Sequence, residues 1–203
     1  KRILPAPCYG DICALVAGSK IGKTWALDFV AETAAMSGNQ VLMVELEMRH
    51  NQMLRRAYQR MTSSPLTDKT VTIPFFKPCF DEEDTSIKEW DKTYELMERE
   101  VFKKGISTDL KDIKEMQESL RLFYRGGDIK YLTIPSSSST ISSLMAMIDN
   151  MEFYEKWCPR VIIIDSADLL LPEVRDEHRH KLDDIWRKMR GWAQRKNINI
   201  WTI

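Results

Sequence analysis

A short apolar run, Ile12-Cys13-Ala14-Leu15-Val16, leads without a break into Ala17-Gly18-Ser19-Lys20-Ile21-Gly22-Lys23-Thr24. The run follows the turn residues Tyr9-Gly10-Asp11 and reads as a buried strand. Beyond the loop, Lys23 to about Met36 places Leu27, Val30, Ala31 and Ala34 on one helical face. Gly38-Asn39 then closes that helix. The intervening segment follows G-x-x-x-x-G-K-[ST], with Ala17 in place of the first glycine. A strand, a small-residue loop and a helix in this order form a phosphate cradle. Glycines let successive backbone N–H groups converge on phosphate oxygens. The helix N-terminus adds the positive end of its dipole. Lys23 is placed to reach β- and γ-phosphates as a charged donor, and the Thr24 hydroxyl to ligate Mg²⁺.

The rest of the chain repeats the alternation. Val41-Leu42-Met43-Val44-Glu45-Leu46-Glu47 reads as a second strand and Asn51 to Met61 as a helix. Ile129 to Ile134 is a strand, followed by a Pro-Ser loop and a helix from Thr140 to about Trp157. Val161 to Asp165 is the strongest strand. Leu182, Ile185, Trp186, Met189, Trp192 and Ala193 pattern a helix, and Ile198 to Ile203 reads as a last strand. Strands alternating with helices imply an α/β fold, a mainly parallel sheet with helices on both faces. Continuous apolar strands fit burial on both sides. Residues 65–125 interrupt the pattern. Thr62 to Phe80 reads as a connection; Ile87, Trp90, Tyr94, Met97 and Val101, then Leu110, Ile113, Met116, Leu120 and Phe123, recur at helical spacing. An inserted helical hairpin is expected there.

Ligands of such sheets bind beyond the carboxyl ends of the strands. Asp165 ends its strand there, where a Walker B carboxylate holds the Mg²⁺ shell. Glu47 ends the second strand on the same side and is the expected base or water-orienting residue. Period-two alternation puts Glu45 on the same face but deeper, as a second candidate. A buried, unpaired carboxylate is costly, so two acids in one strand call for an explanation.

The loop from Val16 to Thr24 and the strand ending Leu46-Glu47-Met48 resemble the RecA-like ATPase domain of DnaB-type replicative helicases. That family often has Ala at the first loop position and carries Leu-Glu-Met at this strand end. Its Glu is catalytic, which the resemblance assigns to Glu47. Asp165 is followed by Ser166, a pair more like RecA itself than replicative helicases. The resemblance implies a RecA-like P-loop NTPase core over residues 1–203, with the insertion at 65–125 and the chain truncated after its last strand. Catalytic roles fall to Lys23, Glu47 and Asp165. Nucleotide contacts fall to Ala17, Gly18, Ser19, Lys20, Ile21, Gly22, Lys23, Thr24 and Trp25, and metal binding to Thr24 and Asp165. ATP and Mg²⁺ are the implied cofactors. Single-stranded DNA and a hexameric ring of identical chains are the implied partners, with an arginine finger from a neighbour. Two functions are expected from this reading: the motor of a DNA helicase in replication, or a RecA-like ATPase switch or assembly factor without unwinding. A nucleotide-binding scaffold with little hydrolysis is a third.

Composition narrows the field. Lys plus Arg equals Asp plus Glu, 30 of each among 203 residues, so no global basic field marks a nucleic-acid binder. No apolar run approaches the roughly 20 residues of a membrane span, and no signal peptide is visible. Cys8, Cys13, Cys79 and Cys158 lack C-x-x-C spacing, which argues for reduced cysteines in a cytoplasmic protein without a zinc ribbon. Arg49, His50, Arg55, Arg56 and Arg60 cluster after the second strand and read as a solvated helix face. His178 and His180 diverge at i, i+2 on a helix, which disfavours a metal pair. Trp90 and Tyr94 read as packing residues of the insertion.

Overall fold

The computed structural model describes residues 8–18, 21–65, 67–79, 93–105, 114, 118, 122, 124–173 and 178–203, with the backbone alone at 178–181. It divides into two compact units, one of Lys1–Leu54 with Asp109–Ile203 and one of Arg55–Thr108. Within the first, β1 (Ile12–Ala14), β2 (Gln40–Glu45), β5 (Asp128–Thr133), β6 (Val161–Asp165) and β7 (Asn199–Thr202) form one sheet in the order β1-β7-β6-β2-β5. Every pairing is parallel. The expected α/β architecture is therefore present.

The helices divide between the two faces. Leu42, Val44, Ile162, Ile164 and Ile200 point to one side and pack with Ile141, Leu144 and Ile148 of α3 (Ile141–Asn150) and Ile185, Met189 and Trp192 of α4 (His178–Lys196). Those helical residues recur at i, i+3/i+4 and i+7, the stripe that a core-facing helix needs. Fully burying each such side chain is worth roughly 1.5–3 kcal/mol. Alternation turns Val41, Met43, Val161 and Ile163 to the other face, where all are buried. There α1 (Lys23–Met36) lies against β2, β5 and β6 and buries Leu27, Ala31 and Ala35. No helix among the described residues is long and apolar enough to cross a membrane.

The helix expected over Asn51 to Met61 is present as α2 (His50–Thr62). The helix expected from Thr140 to Trp157 keeps α geometry only to Asn150 and continues as a π turn, Met151–Glu155. Its start is firmly capped. Thr140 Oγ1 accepts from Ser143 N–H at 3.1 Å, and Ser143 Oγ accepts from Thr140 N–H at 2.9 Å. Glu173, in the loop after β6, adds to this. It accepts from Ser142 N–H at 3.0 Å and from Lys188 Nζ at 2.6 Å, while Lys188 also holds Asp184 at 2.7 Å.

The expected helical hairpin is corrected in its first half. Tyr94, Met97 and Val101 lie on β4 (Tyr94–Lys103), which pairs antiparallel with β3 (Lys69–Pro78) in a separate two-stranded sheet. Thr62 to Phe80, expected as a connection, contains β3. The Leu, Met, Glu and Arg of β4 favour helix alone, but propensity yields to pairing. The partner strand is rich in β-branched and aromatic residues, Val71, Thr72, Ile73, Phe75 and Phe76. The hairpin base closes where Asp68 accepts from Gly105 N–H at 2.8 Å. A Cβ on Gly105 would sit 2.7 Å from Thr67 Cα, so only glycine fits this crossing. In the second half, Lys114, Glu118 and Leu122 are helical. Ile87, Trp90, Leu110, Ile113, Met116, Leu120 and Phe123 lie outside the described residues.

Lys188 and the Ser142 N–H hold the Glu173 carboxyl down at about pKa 2. A carboxylate with a lowered pKa stabilises the fold above its unfolded value and loses that contribution as pH falls toward 2. Glu173 is partly exposed, so its worth is modest. Urea unfolding of Glu173→Gln is expected to show a loss of about 1 kcal/mol at pH 7 that shrinks toward zero near pH 2.

Candidate functional site

The strand before the phosphate loop is shorter than expected. β1 ends at Ala14, although Leu15 N–H still donates to Thr202 O at 2.9 Å and prolongs the ladder. The chain then runs irregularly through Val16, Ala17 and Gly18, all exposed. Ser19 and Lys20 lie outside the described residues. At Gly22 the backbone turns left-handed, φ +88°. Gly22 is the N-cap of α1, and among the described residues no side chain caps the helix there. A Cβ at Gly22 would meet nothing within 4 Å, so conformation and not space selects the glycine. Lys23 and Thr24 are the first two helical residues, where N–H groups have no intrahelical partner. Ile21 and Trp25 flank them and are exposed.

Two carboxylates lie on the face of the sheet that α1 covers. Glu45 and Asp165 are the last residues of β2 and β6 and are register partners. Both are almost fully buried, Glu45 at 0% and Asp165 at 1% exposure. Counting from Val44 and Ile164, which face α3 and α4, alternation turns both acids to the α1 face. That is the side on which Lys23 and Thr24 open α1. Glu45 Oε1 accepts from Glu47 N–H at 3.1 Å and Met48 N–H at 3.0 Å. Its Oε2 has no hydrogen-bond partner among the described residues. Burial pushes the Glu45 carboxyl up to about 7; the Met48 N–H pulls against this, and the neighbouring Asp165 charge adds to it.

Glu47 is placed differently. The strand stops at Glu45 and residues 46–48 bend, so the alternation that would align Glu45 with Glu47 does not continue. Glu47 is exposed past the strand end. The two acids are nonetheless tied together, since the Glu45 carboxyl holds the Glu47 and Met48 amides and thereby fixes the bend.

Sequence reading misses two supporting residues. Thr202, buried at the end of β7, donates to Ile164 O at 2.8 Å and accepts from Ala167 N–H at 3.1 Å, bracing the chain on both sides of Asp165. Thr133, level with Glu45 on β5, is met by His50 Nδ1 at 3.1 Å. Neither carries a motif, but both are polar residues at the carboxyl end of an apolar strand, the one signal available. His50, a member of the basic cluster in sequence, thus faces the end of β5. The side chains of His178 and His180 lie outside the described residues. Tyr94, on β4, is exposed.

These residues fit a magnesium nucleotide. An uncapped helix start with a left-handed glycine suits phosphate oxygens. A hydroxyl and one carboxylate suit Mg²⁺, which takes most of its ligands from water and phosphate. Among the described residues no group of three or more His, Cys, Asp or Glu forms a metal cage of the protein alone.

No protein-family model and no curated protein matches the sequence. Solved structures do match. One, described as an ATPase domain, aligns with 94% of this chain and 54% of its own, with a TM-score of 0.53 and 13% identity. A DnaB-like replicative helicase, described with its interactions with primase, aligns with 94% of this chain and 37% of its own, with a TM-score of 0.55 and 13% identity. The fold is that of DnaB-like, RecA-type ATPase domains. The chain spans about half the length of the first of these structures and less of the second.

A carboxyl whose pKa is raised favours the folded state below its unfolded value and loses that advantage as pH rises through the folded value. Without Mg²⁺ and nucleotide, Glu45 is expected to lower stability between pH 4.5 and about 7, by roughly 3 kcal/mol in all. Glu45→Gln removes this dependence. Urea titrations at pH 4.5 and pH 8 should show the variant more stable than the parent only at the higher pH.

Proposed function

We propose that this chain binds and hydrolyses ATP as the motor domain of a DnaB-like DNA helicase acting in replication. The observation that carries the reading is the shared sheet face of Asp165, the Glu45-braced bend and the start of α1. In this reading the loop from Ala17 to Trp25, with Ser19 and Lys20, wraps the phosphates. Lys23 neutralises the β- and γ-phosphates. Thr24 and Asp165 hold Mg²⁺, which when bound offsets phosphate charge. Glu47 orients water for in-line attack on the γ-phosphorus; the bond to the ADP oxygen breaks and the water proton passes toward the carboxylate. Glu45 positions Glu47 through the two backbone amides that it accepts. A hexameric ring, an arginine finger from a neighbour and single-stranded DNA belong to the same proposal, as does a cytoplasmic location.

The separate β3–β4 unit favours a second reading, an ATPase switch or assembly factor that does not unwind DNA and whose inserted hairpin engages another protein.

Steady-state ATP turnover of the full-length protein, with and without single-stranded DNA, separates the two. Stimulation by DNA that disappears in Lys23→Ala is expected for the motor. Lys23-dependent turnover indifferent to DNA moves the reading to the switch, and turnover that persists in Lys23→Ala overturns both. Glu47→Gln is expected to lower kcat by about 10²–10⁴-fold with nucleotide binding retained. Glu45→Gln should cost less, because it acts through the bend. Equal or reversed losses would assign the base to Glu45.

A further inference from the structure

The β3–β4 hairpin has two unlike faces. The register pairs Thr70 with Phe102, Thr72 with Glu100, Pro74 with Glu98, Phe76 with Leu96 and Pro78 with Tyr94, all on one side. This side is open: Phe76 is 70% exposed, Phe102 65%, Leu96 62% and Tyr94 56%. Its only charged members are Glu98 and Glu100, and no ion pair among the described residues engages either. The opposite side carries Lys69, Lys77, Arg99 and Lys103, with Glu95 and Met97, around the half-buried Val71, Ile73, Phe75 and Val101.

A two-stranded hairpin is marginally stable in water unless another layer covers it. An exposed contiguous patch of large apolar side chains marks an interaction surface. Charge selects among the occupants. Aromatic side chains bind single-stranded nucleic acid when a basic groove tracks the phosphates; here the aromatic face is acidic and the basic residues point the other way. A second copy docking face to face would set Glu98 and Glu100 against their own equivalents, since a two-fold contact uses the same patch twice. The chemistry that complements this face is apolar at both ends and basic between them. Leu96 and Phe102 lie six residues apart on one strand, roughly 20 Å, a distance spanned by a short peptide segment.

We propose that the Tyr94, Leu96, Phe76 and Phe102 face of the hairpin docks a segment of a partner protein in which apolar residues flank one or two Arg or Lys side chains, the cations meeting Glu98 and Glu100. Protein partners are recognised this way when apolar anchors supply contact and charges fix register. The proposal stands whether or not the nucleotide site turns over.

The test is selection of a random dodecapeptide library against the intact protein, with counter-selection on a Glu98→Lys/Glu100→Lys variant. Enriched peptides are expected to carry apolar–basic–apolar sequences. Synthetic versions should bind the parent about tenfold more tightly than Glu98→Gln/Glu100→Gln. The glutamine variant leaves the hairpin surface isosteric, and its folding is checked by far-UV circular dichroism. Absence of enrichment, an acidic or charge-free consensus, or binding unchanged in the glutamine variant would overturn the proposal. Oligo(dT) binding lost in Phe76→Ser would overturn it in favour of a nucleic-acid surface. Self-association lost in the same variant would overturn it in favour of a contact between copies.

Discussion

Two carboxylates at the ends of neighbouring buried strands set the terms for the whole carboxyl edge of the sheet. Parallel pairing of β2 with β6 forces Glu45 and Asp165 level with each other and turns them to one side. Neither can retreat to solvent, because the strands are covered on both faces. Like charges this close and this dry are costly, so the edge must supply amide donors, a proton or a cation. The amides come from the bend after β2. The cation that the proposed function brings is the metal of the nucleotide. On this view the ATP site relieves a repulsion that folding itself creates.

The surrounding polar groups hold that edge in place. Thr202 ties β7 to β6 and steadies the turn after Asp165. Backbone bonds join the loop after β5 to the loop after β6, from Ser137 N–H to Leu169 O at 2.8 Å and from Leu171 N–H to Ser139 O at 2.9 Å. Glu173 links that same region to α3 and α4. The rim of the site is thus built from short polar contacts laid over an apolar sheet, the usual division between scaffold and chemistry.

Much of this is legible in the sequence because burial writes itself as apolar runs. β6 reads as Val161 to Asp165 and is found there. The turn into α1 is legible because φ > 0 at Gly22 favours glycine there. Two things are not legible. The end of β2 comes two residues early, since nothing in Glu45-Leu46-Glu47 says where alternation stops, and that decides which acid is buried. The β3–β4 hairpin is hidden because Tyr94, Met97 and Val101 recur at a helical period, although the strand sets Tyr94 on one face and Met97 and Val101 on the other. The partner that settles the matter lies earlier in the chain.

The hairpin unit also bears on how the sheet closes. β2 and β5 are neighbours in space, yet the whole of Arg55–Thr108 lies between them in the chain. Closure entropy grows only with the logarithm of loop length, so shortening this connection to about a third would ease β2–β5 pairing by roughly 1 kcal/mol. The five-stranded sheet is therefore almost indifferent to the length and content of what is threaded through that gap. This position in the fold can exchange, enlarge or lose an inserted unit while the parallel sheet stays as it is.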